Sequence, residues 1–509
     1  MVYQSDLSKI AKNAGISGIG EVVFKILGYI TTIVITRTVG PAVFGIFNLA
    51  NTITNMTQIF SSIGLGQGLL RFVAFYKGRA DIPRLKGAII FATRVSIFLS
   101  LLFAVIMFYL SDLIAVRFFR NPDVGFAIKI LMISLPFLTL GELWLKSIQS
   151  LQIIKYQVYI QKIYAPVAKL ISLAILFLLG LKLSGILAAS IISALVGFLF
   201  AFYYLLKISP IHKKIPAPIY EKKEIINFSL PLSLTQFLDF IIFSINILML
   251  GYFKTTTDVG IYVAVTKLGG LVVLPLVSFN NIFAPMISEF YSRNKMNKLE
   301  DLFKTVTKWI FTFSLPVFLI FILFAQPIMG IFGQNFAIGA AALIVFGAGQ
   351  LINAGTGSVG IILMMTGRPK INLLNSIALC VLNIILNYLL IPQYGIIGAA
   401  FATGLSIAIV NILRLIEVYY FLRIHPFKLN YLKPCIAGFL SLFLVYLVVH
   451  NFSPVSLSPL DASLLSLFFV SLYTFFIFMF KLEKEDEYIL KLVYQKLISF
   501  KNGIKSKFS

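Results

Sequence analysis

Runs of about twenty apolar residues recur along this chain, and nothing else restricts its fold as strongly. A helix of that length crosses the ~30 Å hydrocarbon core of a bilayer. Barrel strands are excluded, because they are ~10 residues long and alternate in polarity. Hydrophobic residues make up 59% of the 509, and the mean hydropathy of +0.95 lies well above that of a soluble domain. The first apolar run carries Glu21 and Lys25 and lacks a small-residue cleavage site, so it reads as a mature transmembrane helix and not as a signal peptide. Cys380 and Cys435 fall in separate apolar stretches, which implies neither a disulfide framework nor a metal site.

Fourteen transmembrane helices are predicted, joined by short loops. The net charge of +24 does not point to nucleic acid, because the charges lie mostly between apolar runs, where they set topology and meet anionic lipid. One set of alternate connections holds Arg71, Lys77, Arg79, Arg84 and Lys86, and continues through Lys222, Lys223, Arg293 and Arg423. The other set holds only Arg37, Arg117, Arg120, Lys182 and Lys254. By the positive-inside rule both termini are cytoplasmic and the protein is a multi-pass protein of the cytoplasmic (inner) membrane. No outer loop is long enough to form an external catalytic domain, which argues against a membrane enzyme of glycan assembly. There is no nucleophile triad, phosphate-cradling glycine loop or ATP site, so the chain is expected to be neither an enzyme nor an ATPase, with no cofactor and no metal.

The sequence echoes itself. A shift of 215 carries Gly45-Ile46-Phe47 onto Gly260-Ile261-Tyr262, and Phe75-Tyr76 onto Phe290-Tyr291. A shift of 210 carries Gly185-Ile186 onto Gly395-Ile396. These echoes divide the chain into two six-helix lobes, residues 1–210 (helices 1–6) and 211–424 (helices 7–12), as repeated halves commonly frame a transporter's central site. Residues 425–482 add helices 13 and 14. Residues 483–509 read as an amphipathic tail on the inner surface, and the proline-rich connection 208–223 as the hinge between lobes.

The segment Leu390-Ile391-Pro392-Gln393-Tyr394-Gly395, running on to Gly398-Ala399-Ala400, together with Asp258-Val259-Gly260-Ile261-Tyr262 and Phe44-Gly45, resembles the polysaccharide and oligosaccharide flippases of the multidrug/oligosaccharidyl-lipid/polysaccharide exporter superfamily. That resemblance implies an all-α membrane protein whose two pseudo-symmetric lobes border a cleft lined by helices 1, 2, 7 and 8. It implies outward translocation of a polyprenyl-diphosphate-linked oligosaccharide by alternating access. The alternatives are a lipid II-type precursor flippase and a cation-coupled multidrug antiporter. The partners are the lipid-linked substrate and membrane lipids; a monomer is expected, with association to glycan-assembly proteins open.

Charges inside a bilayer are costly and need a partner or a wet cavity. Glu21 and Lys25 are four apart and can pair on one helical face. Asn48, Asn51 and Asn55 form a polar stripe on helix 2, and Gln236, Asp239 and Asn246 form one on helix 7. Lys267 lies on helix 8. Lys169 closes a stripe of lysines at 155, 162 and 169, which either faces the cleft or anchors its helix. A cleft richer in lysine than in acid suits a diphosphate. Glu21 and Asp239 are candidates for coupling to Na+ or H+. The structural alternative is that the Glu21–Lys25 pair and the asparagines only bind helices together.

Overall fold

The computed structural model describes residues 2–151, 153–209, 217–452 and 458–480. The tail 483–509 and most of the hinge prolines lie outside these residues. The described residues form helices joined by short turns, with no strand among them. In chain order the helices are α1 (Val2–Ser62), α2 (Leu65–Gly78), α3 (Ile82–Arg117), α4 (Pro122–Met132), α5 (Leu135–Ser150) and α6 (Ile154–Val158). A π-helical turn, Tyr159–Tyr164, leads into α7 (Ala165–Leu178), followed by α8 (Leu183–Ile208), α9 (Lys222–Phe253), α10 (Thr256–Gly269) and α11 (Leu274–Ser292). The remainder are α12 (Met296–Gly330), α13 (Ala340–Thr356), α14 (Val359–Met365), α15 (Pro369–Leu422), α16 (Leu432–Phe452) and α17 (Pro459–Met479).

Among the described residues ten helices are long and apolar enough to cross a membrane, or twelve if two bent pairs each count as one span. This differs from fourteen separate helices because α1 and α15 run to 61 and 54 residues. A straight helix of 61 residues would be ~90 Å long, about three times the hydrocarbon thickness. Each is broken at a glycine. Gly40 takes φ 74° and ψ 179° and is followed by Pro41, a backbone conformation that suits glycine ahead of a proline that starts the next helix. Gly395 takes φ 54°. A methyl group at Gly398 would land on the carbonyl of Leu390, so the chain folds back at this point instead of running straight.

The chain divides into two compact units. The first comprises Met1–Ala264, Phe332–Phe336 and Asn383–Ala399; the second comprises Val265–Ile331, Ala337–Leu382 and Ala400–Ser509. In the first, Leu69 and Val73 of α2, Leu85 and Ile89 of α3, Trp144 and Ile148 of α5, and Ile225 of α9 form one core. The Trp144 indole N–H donates to the Thr93 hydroxyl at 3.1 Å, which satisfies the one polar atom of that ring. In the second unit Phe283, Phe303, Ile310, Ile362 and Val418 pack together, and Phe324, Val445 and Phe469 join α12 to α16 and α17.

Lipid offers no hydrophobic drive between helices, so close packing and internal hydrogen bonds hold such a fold. Thr54, Thr57, Ser61 and Ser147 each donate to the carbonyl four residues earlier, at 2.8–2.9 Å. Large apolar side chains such as Phe98, Tyr109 and Leu178 stand on the surface, where hydrocarbon replaces water as solvent.

A close backbone approach within the first unit involves the echoed glycines. A methyl at Gly45 would strike the Thr256 carbonyl, and a methyl at Gly260 would strike the Pro41 carbonyl. The two contacts are reciprocal under the shift of 215, which carries Pro41 to position 256 and Gly45 to position 260.

Candidate functional site

Glu21 pairs with a different lysine from the one its spacing indicated. Lys162 Nζ lies 2.9 Å from the Glu21 carboxylate and 4.3 Å from the centre of the Phe24 ring. The reason is local. Gly20 removes the side chain that would separate α1 from the π-turn: a methyl there would strike Val158 and lie 3.7 Å from the Lys162 side chain. With the helices this close, a lysine from across the interface satisfies the carboxylate. Lys25 remains half-buried on α1.

The supposed lysine stripe is also redistributed. The extra residue of a π-turn rotates the downstream helix face relative to the upstream one. Lys155 sits over the Tyr156 ring at 4.7 Å, Lys162 turns to Glu21, and Lys169 lies 4.8 Å from the Phe47 ring on the second half of α1. Lys169 therefore packs as a cation over an aromatic face and ties α7 to α1.

Asn51 and Asn55 are half-buried on α1, as is Gln236 on α9. Asp239 belongs to α9, and its side chain lies outside the described residues. Asn246 departs from the expected cleft-lining stripe. It is only 4% exposed and accepts a hydrogen bond from Asn387, whose amide also donates to the backbone and side-chain oxygens of Asn383, at 2.7 and 2.9 Å. A buried amide must find such partners, and here they join α9 to α15. Lys267 is exposed on α10.

Two further groups were missed in the sequence. Gln58 donates to the Glu142 carboxylate at 2.9 Å, linking α1 to α5. In the first turn of α3, Arg84 bridges Asp81 and Glu221, each at 2.7 Å, and Tyr76 donates its hydroxyl to the same Glu221. The Ile219 amide donates to the Pro83 carbonyl at 3.2 Å, so the lead-in to α9 is strapped across the start of α3. The side-chain and backbone N–H groups of Arg84 hold the Asp81 carboxyl below its usual range. Burial and the Glu221 carboxylate push the Tyr76 hydroxyl up, so it stays protonated and keeps donating. Only the Asp81–Arg84 pair, three apart at the start of α3, carries a local signal; Glu221 and the Gln58–Glu142 bond join residues distant in sequence.

The arrangement supplies mixed charges, amides and aromatic faces within segments long enough to span a membrane. It presents no metal cluster of histidine, cysteine or carboxylate among the described residues.

Comparison with known proteins gives a consistent picture. Residues 10–291 match the polysaccharide biosynthesis protein family, and residues 231–389 match the MatE family. A probable low-salt glycan biosynthesis flippase, Agl15 of Haloferax volcanii, is 28% identical over 170 residues. That match covers 33% of this chain and 36% of the relative, so the chain aligns with about a third of the length of that curated relative. Among solved structures, the lipid II flippase MurJ in an inward closed conformation aligns with TM-score 0.71 at 16% identity, covering 91% of this chain and 98% of that one. An inward-facing multidrug resistance MATE family transporter of the MOP superfamily aligns with TM-score 0.66 at 16% identity, covering 79% and 94%. Both structural likenesses concern the fold.

Proposed function

The chain belongs to the polysaccharide biosynthesis protein family, and from that premise we propose that it is a flippase that moves a polyprenyl-diphosphate-linked oligosaccharide outward across the cytoplasmic membrane by alternating access. The observation that carries this reading is the set of lysines at spanning depth, Lys25, Lys162, Lys169 and Lys267, against few carboxylates. Such a balance attracts a diphosphate and repels hydrophobic cations. The MatE match over 231–389 favours a second reading, a cation-coupled drug antiporter, which calls for acid-dominated lobes.

Both termini are cytoplasmic in this reading, and the helices cross fourteen times, with α1 and α15 each contributing two crossings about their glycine breaks. The reciprocal contact of Gly45 and Gly260 supports a pseudo-two-fold relation between residues 1–210 and 211–424. Coupling is to Na+ or H+, with Glu21 and Asp239 as candidate carboxylates, and Asn51, Asn55 and Gln236 as neutral contacts for sugar hydroxyls. The chain acts as a carrier of lipid-linked glycan among membrane lipids and catalyses no reaction.

Lys25 and Lys267 are proposed to contact the diphosphate. A hydrogen bond to a charged group contributes about 1.5–3 kcal/mol, roughly tenfold or more in affinity. In proteoliposomes holding a fluorescent lipid-linked oligosaccharide, Lys25→Ala or Lys267→Ala should slow exposure of the glycan to an external lectin about tenfold. Arginine at either position should retain part of the rate. Lipid II moved in place of the oligosaccharide, or efflux of ethidium without glycan transfer, would replace this reading with one of its alternatives. A cysteine placed at Ser458 should react with an impermeant maleimide in intact cells, while one at the C-terminus should not.

A further inference from the structure

The first unit contains a groove of about 680 Å³. Met56 and Phe60 of α1, Phe103 and Met107 of α3, and Met249 and Tyr252 of α9 line it, and Tyr388 of α15 stands beside them. Its single hydroxyl-bearing aliphatic residue, Thr57, is silenced by donating to the Ile53 carbonyl at 2.8 Å. Apart from the hydroxyls of Tyr252 and Tyr388, the rest of the lining is apolar.

Its position along the helices is defined. α3 and α9 both start at the Asp81–Arg84–Glu221 cluster and run away from it, and the groove occupies the far half of α3 and the last two turns of α9. Twenty-four helical residues separate Ile82 from Ile106, or ~36 Å, so the groove lies toward the opposite membrane face. At that end stand the tyrosines, whose rings favour the level where hydrocarbon meets headgroups.

The charges there are unusual for this chain. Only five basic residues belong to the sparsely charged set of connections, and three of them flank the groove in sequence. Arg117 and Arg120 bracket Phe118 and Phe119, and Lys254 follows Phe253. Arg117 and Arg120 are exposed, and Lys254 donates to the Pro392 carbonyl at 2.9 Å. Of the carboxylates nearby, Asp112 is held by Lys129 at 2.6 Å and Asp258 accepts from the Thr255 hydroxyl at 2.7 Å, while Asp123 is exposed in the first turn of α4, so the cations, Lys129 included, still outnumber the acids. An apolar slot with three cations at its outer end matches a lipid with one long tail and a phosphate head. Phenyl rings and thioethers are polarizable surfaces that suit the repeated double bonds of an isoprenoid better than the smooth walls of a leucine-lined slot would.

We propose that this groove seats the isoprenoid tail of a polyprenyl phosphate in the outer half of the membrane, with its phosphate against Arg117, Arg120 and Lys254. The proposal deepens the flippase reading by assigning a seat to the carrier lipid, apart from the lysines that meet the diphosphate during transfer.

The test uses the full chain in phosphatidylcholine nanodiscs and a polyprenyl phosphate that bears a diazirine in its tail and carries no glycan. Adducts should map to peptides covering 103–119 and 248–253. Unlabelled polyprenyl phosphate should displace them, and phosphatidylglycerol should not. Met107→Trp, which fills the slot, should cut labelling about tenfold, and the surface variant R117E/R120E should do so through the phosphate alone, each step corresponding to about 1.4 kcal/mol. Met107→Leu should label like the natural protein. Equal displacement by phosphatidylglycerol, adducts confined to other helices, or undiminished labelling of R117E/R120E would each overturn the proposal. Because the probe needs no translocation, a protein that labels here but moves no glycan sinks the flippase reading alone, and one that moves glycan without labelling here sinks only this site.

Discussion

The pair of Glu21 with Lys162 and the triad of Asp81, Arg84 and Glu221 use the same chemistry in two solvents. The first joins α1 to the π-turn inside segments apolar enough to span a membrane. The second closes the start of α3 against the lead-in of α9, at the end of those segments; Arg84 is 43% exposed and Glu21 47%, so the two regions differ in the medium they face and not in how much of them is covered. In water an ion pair competes with hydration and salt, and its net contribution is small. In hydrocarbon the competing solvent is absent, so a carboxylate without its lysine has nowhere to turn. Removing a partner should therefore matter far more in the first region than in the second.

The sharpest break comes from Lys162→Ala. Stranding Glu21 should cost about 2 kcal/mol, the range for a broken buried pair reduced for its partial exposure, and should lower both the midpoint of thermal unfolding in detergent and the abundance in the membrane. The exchange Glu21→Lys with Lys162→Glu should recover most of that loss. Wild-type stability in Lys162→Ala would show that water reaches Glu21 freely. Next in size is Asn387→Leu. It deprives Asn246 and Asn383 of their shared donor, which should cost about 1–3 kcal/mol by the same unfolding measurement; a neutral result would place water among the three amides. Arg84→Ala should have a smaller effect. At 1 M salt, where the Debye length is about 3 Å, its difference from the natural protein should vanish, whereas that of Lys162→Ala should persist.

The smallest effect is that of pH on Asp81. Its carboxyl is held below the unfolded value of about 3.9, so its contribution is fully present above that pH and is lost as pH falls through the lower folded value. Asp81→Asn should lower stability slightly near neutrality and flatten the profile in that acid window.

These regions also show what a sequence can disclose. The membrane fold was legible because run length is a one-dimensional property, and the breaks in α1 and α15 were marked by Gly40 before Pro41 and by Gly395 after Pro392. Pairing was not legible. A spacing of four rightly placed Glu21 and Lys25 on one face, yet the carboxylate bonds across the interface, and only Gly20 hinted that another helix came so near. Asn246 sat in a stripe that reads the same whether it faces water or another helix. Asn383 and Asn387, four apart in an apolar segment, were the sign of its partners. The groove lined by Met56, Phe60 and Met107 left no polar mark at all, and only the scarce cations at 117, 120 and 254 point to it.

The crossing of Gly45 and Gly260 bears on ancestry. In a chain made by duplicating one gene, a spot where equivalent residues meet is where two identical ancestral subunits would each have touched their own copy. A single mutation there would have been felt on both sides at once. Under the duplication proposed above, fusion frees most such positions, because either copy can then drift alone, as at Phe47 and Tyr262. It frees neither glycine, since each faces the other's backbone and not a side chain that could shrink to make room. On the duplication proposed above, the single chain still obeys the rule of a homodimer at this spot.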